Sequence, residues 1–200
     1  MTSAMDENRR LLLLAVFCMP SVQGMKQRKS SITNAFVNAI IPVVQPSPEE
    51  ILEALTILEM EPEHVRCAYC GDPTTEWDHL RPLVISRRPT GFISEIANLV
   101  PACGKCNQSK GNKNWRTWML GAAKRSPTGR KIADINERIA RIDNYEAWRQ
   151  PTKVDFESLL GADAWQHYWS LWDKMNIALN EAQVVADEMR TTIKRRIAGD

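Results

Sequence analysis

Two pairs of closely spaced cysteines constrain this chain more than any other feature. Cys67 and Cys70 form the first pair, Cys103 and Cys106 form the second, and 32 residues separate the two pairs. A two-residue gap lets both thiolates of a pair reach one ion at about 2.3 Å, and two such pairs complete a tetrahedral structural Zn²⁺ site. The separation is longer than in compact zinc ribbons. A sizeable segment is therefore looped out between the pairs and held by the metal.

Two other interpretations of the cysteines are a redox C-x-x-C motif and a disulfide pair. A redox motif would need only one pair in a thioredoxin-like βαβ setting, and the sequence has no such setting. The pattern therefore favours zinc. The fifth cysteine, Cys18, lies in an N-terminal apolar run, and we expect it to be a buried apolar thiol rather than a ligand.

Length and composition indicate one globular domain, or a small module with helical additions, because the chain has 200 residues of which 44% are hydrophobic and 25% charged. Its longest apolar run, residues 11–19, has less than half of the roughly 20 residues that a membrane-spanning helix needs. Arg9 and Arg10 precede this run, as in a secretory signal, but the negative charges of Asp6 and Glu7 do not fit the positively charged leader of such a signal. We expect a cytoplasmic protein with no membrane segment, and export is the alternative.

Charge is distributed unevenly along the chain. Residues 67–131 carry a net charge of +7, whereas residues 1–66 carry −2 and residues 132–200 carry −3. Such a local surplus of Lys and Arg is typical of a phosphate-binding surface, although a solvated helical face gives the same count. Trp115 and Trp118 lie in this basic region and could stack on bases, but we favour a place in the core for both.

The coarse secondary structure follows from proline, glycine and capping residues. Ser47 and Pro48 predict the start of a helix, with Ser47 as its N-cap. We also expect helices over 6–19 and 30–41, a short hairpin within 66–84, a helix from about Cys103, and helices after Asn114 that break at 126–129 and 150–152. The predicted division is an N-terminal helical region at 1–62, a core at 63–125 and a C-terminal helical region at 126–200.

Residues 75–82 (TEWDHLRP) and 98–111 (NLVPACGKCNQSKG) together resemble the His-Asn-His (HNH) endonuclease family, which has the ββα-metal fold. The resemblance covers residues 67–111, including both cysteine pairs. It implies a mostly helical α+β protein, in which a zinc-braced ββα-metal nuclease core is flanked by N- and C-terminal helical regions.

The resemblance also implies a role for each site residue. His79 would be the general base that activates water, Asp78 would bind a divalent cation, and Asn98 would be the central Asn that fixes the loop around His79. The third family position, often a His, is Asn107 in this chain. This departure leaves Asn107 as an oxygen ligand rather than a nitrogen ligand.

These residue types suit phosphodiester hydrolysis. Imidazole has an unperturbed pKa near 6.5, so His79 can take a proton from water near neutral pH. A hard cation such as Mg²⁺, for which Mn²⁺ may substitute, can neutralise the charge that develops on the phosphate and the leaving oxygen. Asp78 and Asn107 offer such an ion two oxygen ligands. Two protein ligands hold it loosely, so we expect the metal site to be completed when DNA binds.

Helical spacing separates the zinc ligands from the expected DNA contacts. Asn107 and Lys110 lie on a face about 100° round the helix from Cys106, and Gly111 suits a C-terminal cap. We expect DNA contacts from Lys110, Arg81, Lys113 and Arg116, while solvated charge is the alternative for each. The strand that carries Asp78 and His79 must twist or end there, since neighbours in a regular strand point to opposite faces.

The expected function is metal-dependent DNA cleavage to 5′-phosphate and 3′-hydroxyl ends. A core with helical flanks is similar to a type II restriction endonuclease that cuts double-stranded DNA. Other phage, defence or homing HNH nucleases, a nicking enzyme, and a non-catalytic zinc-stabilised DNA-binding module are the alternatives.

A homodimer is expected because one HNH site cuts one strand, and two strands at a palindrome need two sites related by a two-fold axis. The helix over 162–197 carries Trp165, Trp169 and Trp172 on one stripe. This stripe is the leading candidate for the interface, and burial within the chain is the alternative.

Overall fold

The computed structural model describes residues 6–16 and 20–199, so Cys18 and its expected burial lie outside the described residues. Within these ranges the chain is an α+β protein dominated by helices, as predicted. Its elements are α1 Glu7–Val16, α2 Lys29–Ile40, α3 Pro48–Ile57, β1 Glu76–His79, β2 Val84–Ile85, β3 Arg88–Pro89, β4 Leu99–Ala102, α4 Gly104–Lys110, α5 Trp115–Leu120, α6 Ile135–Trp148, α7 Phe156–Leu160 and α8 Ala162–Ala198.

Backbone contacts divide the chain into two compact units. The larger unit is Ser30–Lys174, and the smaller unit consists of residues up to Lys29 and from Met175 onward. Within the smaller unit, the backbone N–H of Met25 donates a hydrogen bond to Gln183 Oε1 at 2.6 Å. The larger unit holds both cysteine pairs and all the expected site residues. The limits of the nuclease core at 63 and 125 stay a prediction.

The strand that carries Asp78 and His79 pairs with a strand far along the chain. β1 runs antiparallel to β4, with Asp78 opposite Val100 and His79 opposite Leu99. β1 ends at His79, as expected from the need to break the strand there. The expected short hairpin within 66–84 is present as one antiparallel bridge between Arg66 and Pro73. β1 is not part of it and pairs instead with β4, at the far end of the segment between the cysteine pairs, which local sequence signals do not reveal.

The hairpin that does form joins β2 to β3. Its two connecting residues, Ser86 and Arg87, have φ of 50° and 64°. Two-residue hairpin turns require such positive φ values and usually place Asn or Gly there. The Ser-Arg sequence therefore gave no hairpin signal.

The first core cluster packs α3 and α6 against the cysteine pairs and the β1–β4 sheet. Tyr145 of α6 is fully buried and donates its hydroxyl proton to the carbonyls of Ile96 and Leu99 at 2.5 and 3.0 Å. Trp115 and Trp118 are buried in the same cluster, so the core position predicted for both is confirmed. Base stacking by these two rings is excluded in this structure.

The second core cluster lies between α2, α8 and the β2–β3 hairpin. Trp169 and Trp172 of α8 are buried there, and the Trp172 indole donates to Thr33 Oγ of α2 at 3.1 Å. The Arg88 guanidinium lies 4.3 Å from the centroid of the Trp169 ring. The tryptophan stripe therefore packs inside the chain, and its expected role as a dimer interface is wrong because α2 and Arg88 already cover it.

Helix starts agree with the sequence signals. Ser47 caps α3 in a reciprocal capping box with Glu50, and α4 begins directly after Cys103. Gly111 ends α4 with φ of 51°, a value that favours glycine. No helix in residues 6–16 or 20–199 is long and apolar enough to cross a membrane.

Candidate active site and zinc centre

The four cysteines of the two pairs meet in one buried cluster. Their sulfur atoms all lie within 4.8 Å of one another, and the sulfur atoms of Cys70 and Cys103 are 3.7 Å apart. A tetrahedral Zn²⁺ with bonds of about 2.3 Å spaces its sulfur ligands about 3.8 Å apart. The thiols are free of disulfides, so the donor set fits zinc. The predicted four-cysteine site is confirmed.

Two arginines lie against this cluster. Arg130 donates to Cys106 Sγ at 3.6 Å and forms an ion pair with Asp72 at 2.7 Å. Arg138 of α6 donates to the carbonyl of Cys67 at 3.4 Å. Both guanidinium groups also pair with carboxylates, Arg130 with Asp72 and Arg138 with Asp134, so they form the hydrogen-bonded surroundings of the cysteine cluster. Sequence reasoning missed both, since each lies more than 20 residues beyond the second cysteine pair.

The Asp78 carboxylate is buried between a hydroxyl and an ammonium group. Tyr69, which lies between the cysteines of the first pair, donates its hydroxyl proton to Asp78 Oδ2 at 2.6 Å. Lys110 Nζ of α4 lies 3.0 Å from the same oxygen. Burial raises the pKa of Asp78, and the charge of Lys110 with the Tyr69 hydrogen bond opposes that rise. The first cysteine pair thus positions a partner for the expected cation ligand.

Lys110 is not at the surface. Its side chain is fully buried, and Nζ also donates to the backbone carbonyl of His79 at 2.7 Å. The expected contact between Lys110 and DNA phosphate is therefore contradicted by this geometry. A buried carboxylate needs a buried countercharge, and Lys110 provides it for Asp78.

His79 ends β1 with its ring partly buried beside Asp78. Its Nε2 lies 2.9 Å from the hydroxyl oxygen of Ser94. Burial, and next the positive charge of Lys110, lower the pKa of His79 to about 4. At neutral pH the imidazole is thus unprotonated, which is the state that a general base requires.

The segment around Ser94 and Asn98 fixes the surroundings of His79. Ser94 is held by backbone hydrogen bonds with Pro42 and Val44, so its hydroxyl has a defined place. The fully buried Asn98 side chain accepts from the N–H of Arg81 at 2.8 Å and donates to the carbonyl of Arg81 at 3.1 Å. Asn98 therefore fixes the backbone conformation of the loop that follows β1. Sequence reasoning missed Ser94, which no motif marked.

Asn107 of α4 lines the same cleft as the Asp78 and His79 end of β1. The cleft has a volume of about 410 Å³, and its lining includes Asp78, His79 and Asn107, together with Asn34 and Asn38 of α2. Carboxylate and amide oxygens are ligands that Mg²⁺ and Mn²⁺ accept. The donor set therefore fits a hard divalent cation.

The three other expected DNA contacts have partners within the chain. Arg81 pairs with Glu146 at 3.3 Å, and Arg116, which is half-exposed, pairs with Asp143. The exposed Lys113 donates to the carbonyl of Ser109 at 2.8 Å. The ion pair of Arg116 is at the surface and therefore weak, and Lys113 is exposed, so both can exchange their partners for phosphate. The side chain of Arg81 is three-quarters buried.

Comparison with known proteins agrees with this geometry. Residues 67–113 match the family described as HNH endonuclease. The chain is 36% identical over 142 residues to a CRISPR-associated endonuclease Cas9 of Corynebacterium diphtheriae. That match covers 68% of this chain but only 12% of the Cas9 protein, so the chain spans a small part of its relative. No solved structure matches the chain.

The family match begins at the first of the four clustered cysteines and includes the β1–β4 sheet, α4 and the Asp78, His79 and Asn107 side of the cleft. Sequence and geometry therefore agree that residues 67–113 of this chain form an HNH endonuclease domain.

Proposed function

We propose that this chain hydrolyses DNA phosphodiester bonds in a metal-dependent reaction, with His79 as the general base. One observation carries the proposal. His79 lines the same cleft as Asp78 and Asn107, so an imidazole and two oxygen ligands face one space.

In the proposed reaction, a water molecule in the cleft gives a proton to the imidazole of His79. The water oxygen attacks phosphorus, the bond from phosphorus to the 3′-oxygen breaks, and that oxygen takes up a proton. The products are a 5′-phosphate and a 3′-hydroxyl end. Mg²⁺ held by Asp78 and Asn107 would neutralise the negative charge that develops on the phosphate. Ser94 keeps the imidazole in place, and Asn98 holds the loop that follows it.

DNA binding would use the basic region between residues 67 and 131. The exposed Lys113 and the half-exposed Arg116 are proposed backbone contacts, because both lie just after α4. Arg81 is a weaker candidate, since its guanidinium forms an ion pair with Glu146 and its side chain is three-quarters buried. Phosphate contacts of this kind supply affinity and are weakened by salt.

The first test is cleavage of supercoiled plasmid by the purified chain with Mg²⁺, with Mn²⁺ and with EDTA. We expect cleavage with either cation and none with EDTA. His79→Ala should lower the cleavage rate by at least about 100-fold, the usual lower range for losing a general base. DNA binding measured by fluorescence anisotropy should persist.

His167→Ala is the matched control, because His167 is an exposed histidine of α8. It should cut as the wild type does. If His79→Ala retains a rate within a few-fold of wild type, the proposed mechanism is wrong. If the wild type binds DNA but never cuts it, a non-catalytic zinc-stabilised module is the correct alternative.

Two biological roles are compatible with such a nuclease. A type II restriction enzyme would cut both strands of an unmodified site as a homodimer. The match to a CRISPR-associated endonuclease favours the broader role of a defence nuclease, in which one HNH site needs to cut only one strand. Either role would place the protein in the cytoplasm. Linear plasmid as the main product supports the restriction role, and nicked circles support the second.

A further inference from the structure

An asparagine can serve as a cation ligand only if its oxygen faces the ion. The side-chain amide of Asn107 has an oxygen at one end and an NH₂ group, a pure donor, at the other. The two ends have nearly the same shape, so packing alone does not select between them. Something must decide which end of this amide faces the cleft.

Glu76 determines which end of the Asn107 amide faces the cleft. Its Oε2 accepts a hydrogen bond from Asn107 Nδ2 at 2.8 Å. An ionised carboxylate accepts hydrogen bonds and has no proton to donate, so only the NH₂ end of the amide can face it. Asn107 lines the cleft that also holds Asp78, whereas Glu76 does not. The NH₂ end is thus turned out of the cleft, and the oxygen is left to face into it.

The position of Glu76 is itself defined by the fold. Glu76 lies two residues before Asp78 on β1, on the same face of the strand, and opposite Ala102 in the β1–β4 register. A Cβ atom added at Gly104 would lie 2.8 Å from Glu76 Oε1. Gly104 lies between Cys103 and Cys106 and has no side chain. The Glu76 carboxylate therefore has room at this position.

We propose that Glu76 is a positioning residue, whose carboxylate orients the Asn107 amide so that its oxygen faces the divalent cation. Glu76 acts through Asn107 and is not itself a ligand. This inference rests on the proposed function, in which Asn107 holds the cation.

A double-mutant cycle in the full chain tests the inference, with Mn²⁺ affinity measured by electron paramagnetic resonance and plasmid cleavage as a second measurement. Glu76→Ala should weaken Mn²⁺ binding by about fivefold, the effect expected from losing one hydrogen bond of ordinary strength. In the Asn107→Asp background both ends of the side chain are oxygens, so orientation no longer matters. There Glu76→Ala should leave Mn²⁺ affinity unchanged or raise it, because a like charge has been removed.

Zinc content and circular dichroism establish that each variant is folded and that Mn²⁺ has not displaced zinc. Glu76→Gln preserves the shape of the side chain and should weaken Mn²⁺ binding less than Glu76→Ala, since its amide oxygen can still accept. Glu63→Ala, an exposed glutamate in a short 3₁₀ turn, is the control and should bind Mn²⁺ as wild type does.

Equal losses on Glu76→Ala in both backgrounds would overturn the inference, because a cation ligand or a structural residue gives additive effects. Plasmid cleavage by the wild type in that same experiment would leave the proposed nuclease function standing. A wild type that neither cuts DNA nor binds Mn²⁺ would instead overturn the proposed function, and the inference with it.

Discussion

At the residue scale, Asp78 and His79 are neighbours on β1, but their partners come from distant parts of the chain. Tyr69 and Lys110 hold the carboxylate, and Ser94 holds the imidazole. Lys110 also donates to the backbone carbonyl of His79 at 2.7 Å, whereas Tyr69 bonds the carboxylate and Ser94 bonds the imidazole. The two neighbours can thus have different environments and different roles.

Ser94→Ala should lower the cleavage rate by about fivefold without changing the fold. The hydroxyl contributes one hydrogen bond to His79, and a bond of ordinary strength is worth about 1 kcal/mol. Single-turnover cleavage measures the effect, and circular dichroism checks the fold. Ser170→Ala, which removes a hydroxyl bonded only to backbone within α8, should cut at the wild-type rate. An unchanged rate for Ser94→Ala would show that Ser94 does not orient the base.

Lys110→Met should destabilise the protein by about 3–5 kcal/mol at pH 7, the usual cost of removing one partner of a buried ion pair. The Met side chain fills similar space but leaves Asp78 buried without a countercharge. Urea unfolding followed by tryptophan fluorescence measures the loss. Lys105→Met, which changes an exposed lysine of the same helix, should stay within about 0.5 kcal/mol of wild type. Similar curves for both variants would show that the Asp78 carboxylate does not depend on Lys110.

At the element scale, α4 connects the zinc centre to the cleft. Its N-cap is Cys103, and Cys106 follows one turn later, so a Zn²⁺ bound by both cysteines would fix the start of the helix. Asn107 and Lys110 then project from the same seven-residue helix toward the cleft and Asp78. A helix this short is not stable alone. We therefore expect zinc to be required for placing Asn107.

Cys103→Ser should unfold the nuclease core, whereas Asn107→Ala should retain zinc and fold but weaken Mg²⁺-dependent cleavage. Structural zinc contributes about 10–16 kcal/mol of apparent binding energy, comparable with the whole stability of a domain, about 5–15 kcal/mol. Elemental analysis, circular dichroism and plasmid cleavage of both variants provide the measurements. Active wild-type protein without zinc would contradict this account.

At the scale of the whole molecule, the question is how two DNA strands would be cut. One chain contains one His79 site, and the tryptophan stripe is already covered within the chain. A homodimer would need another surface. The C-terminal half of α8 exposes Val185, Met189 and Ile193 at 48%, 61% and 56%, and their spacing of four residues places them on one helical face. A second copy of this chain is the proposed occupant, because a two-fold pair supplies the second site.

In the restriction role, light scattering should give a dimer for the wild type bound to a short palindromic duplex. Met189→Glu should give a monomer, because it places a charge in the proposed apolar contact, and its plasmid product should be nicked circles. Glu188→Gln changes the adjacent residue without adding a charge to that face and serves as the control. A wild-type monomer with nicked circles as its sole product would rule out the dimer and support a nicking or defence nuclease.

The sequence by itself determined the four clustered cysteines, the starts of α3 and α4, and the mostly helical α+β class, because these depend on local spacing and capping. The roles of Asp78 and His79 follow from the family resemblance and stay a prediction. Only the tertiary structure decided what faces those residues. Glu76, Tyr69, Ser94 and Arg130 carry no local signal, since their roles arise from contacts between segments 9 to 31 residues apart. The same reason explains the error at Lys110, because helical spacing showed which face it occupies but not that β1 covers that face.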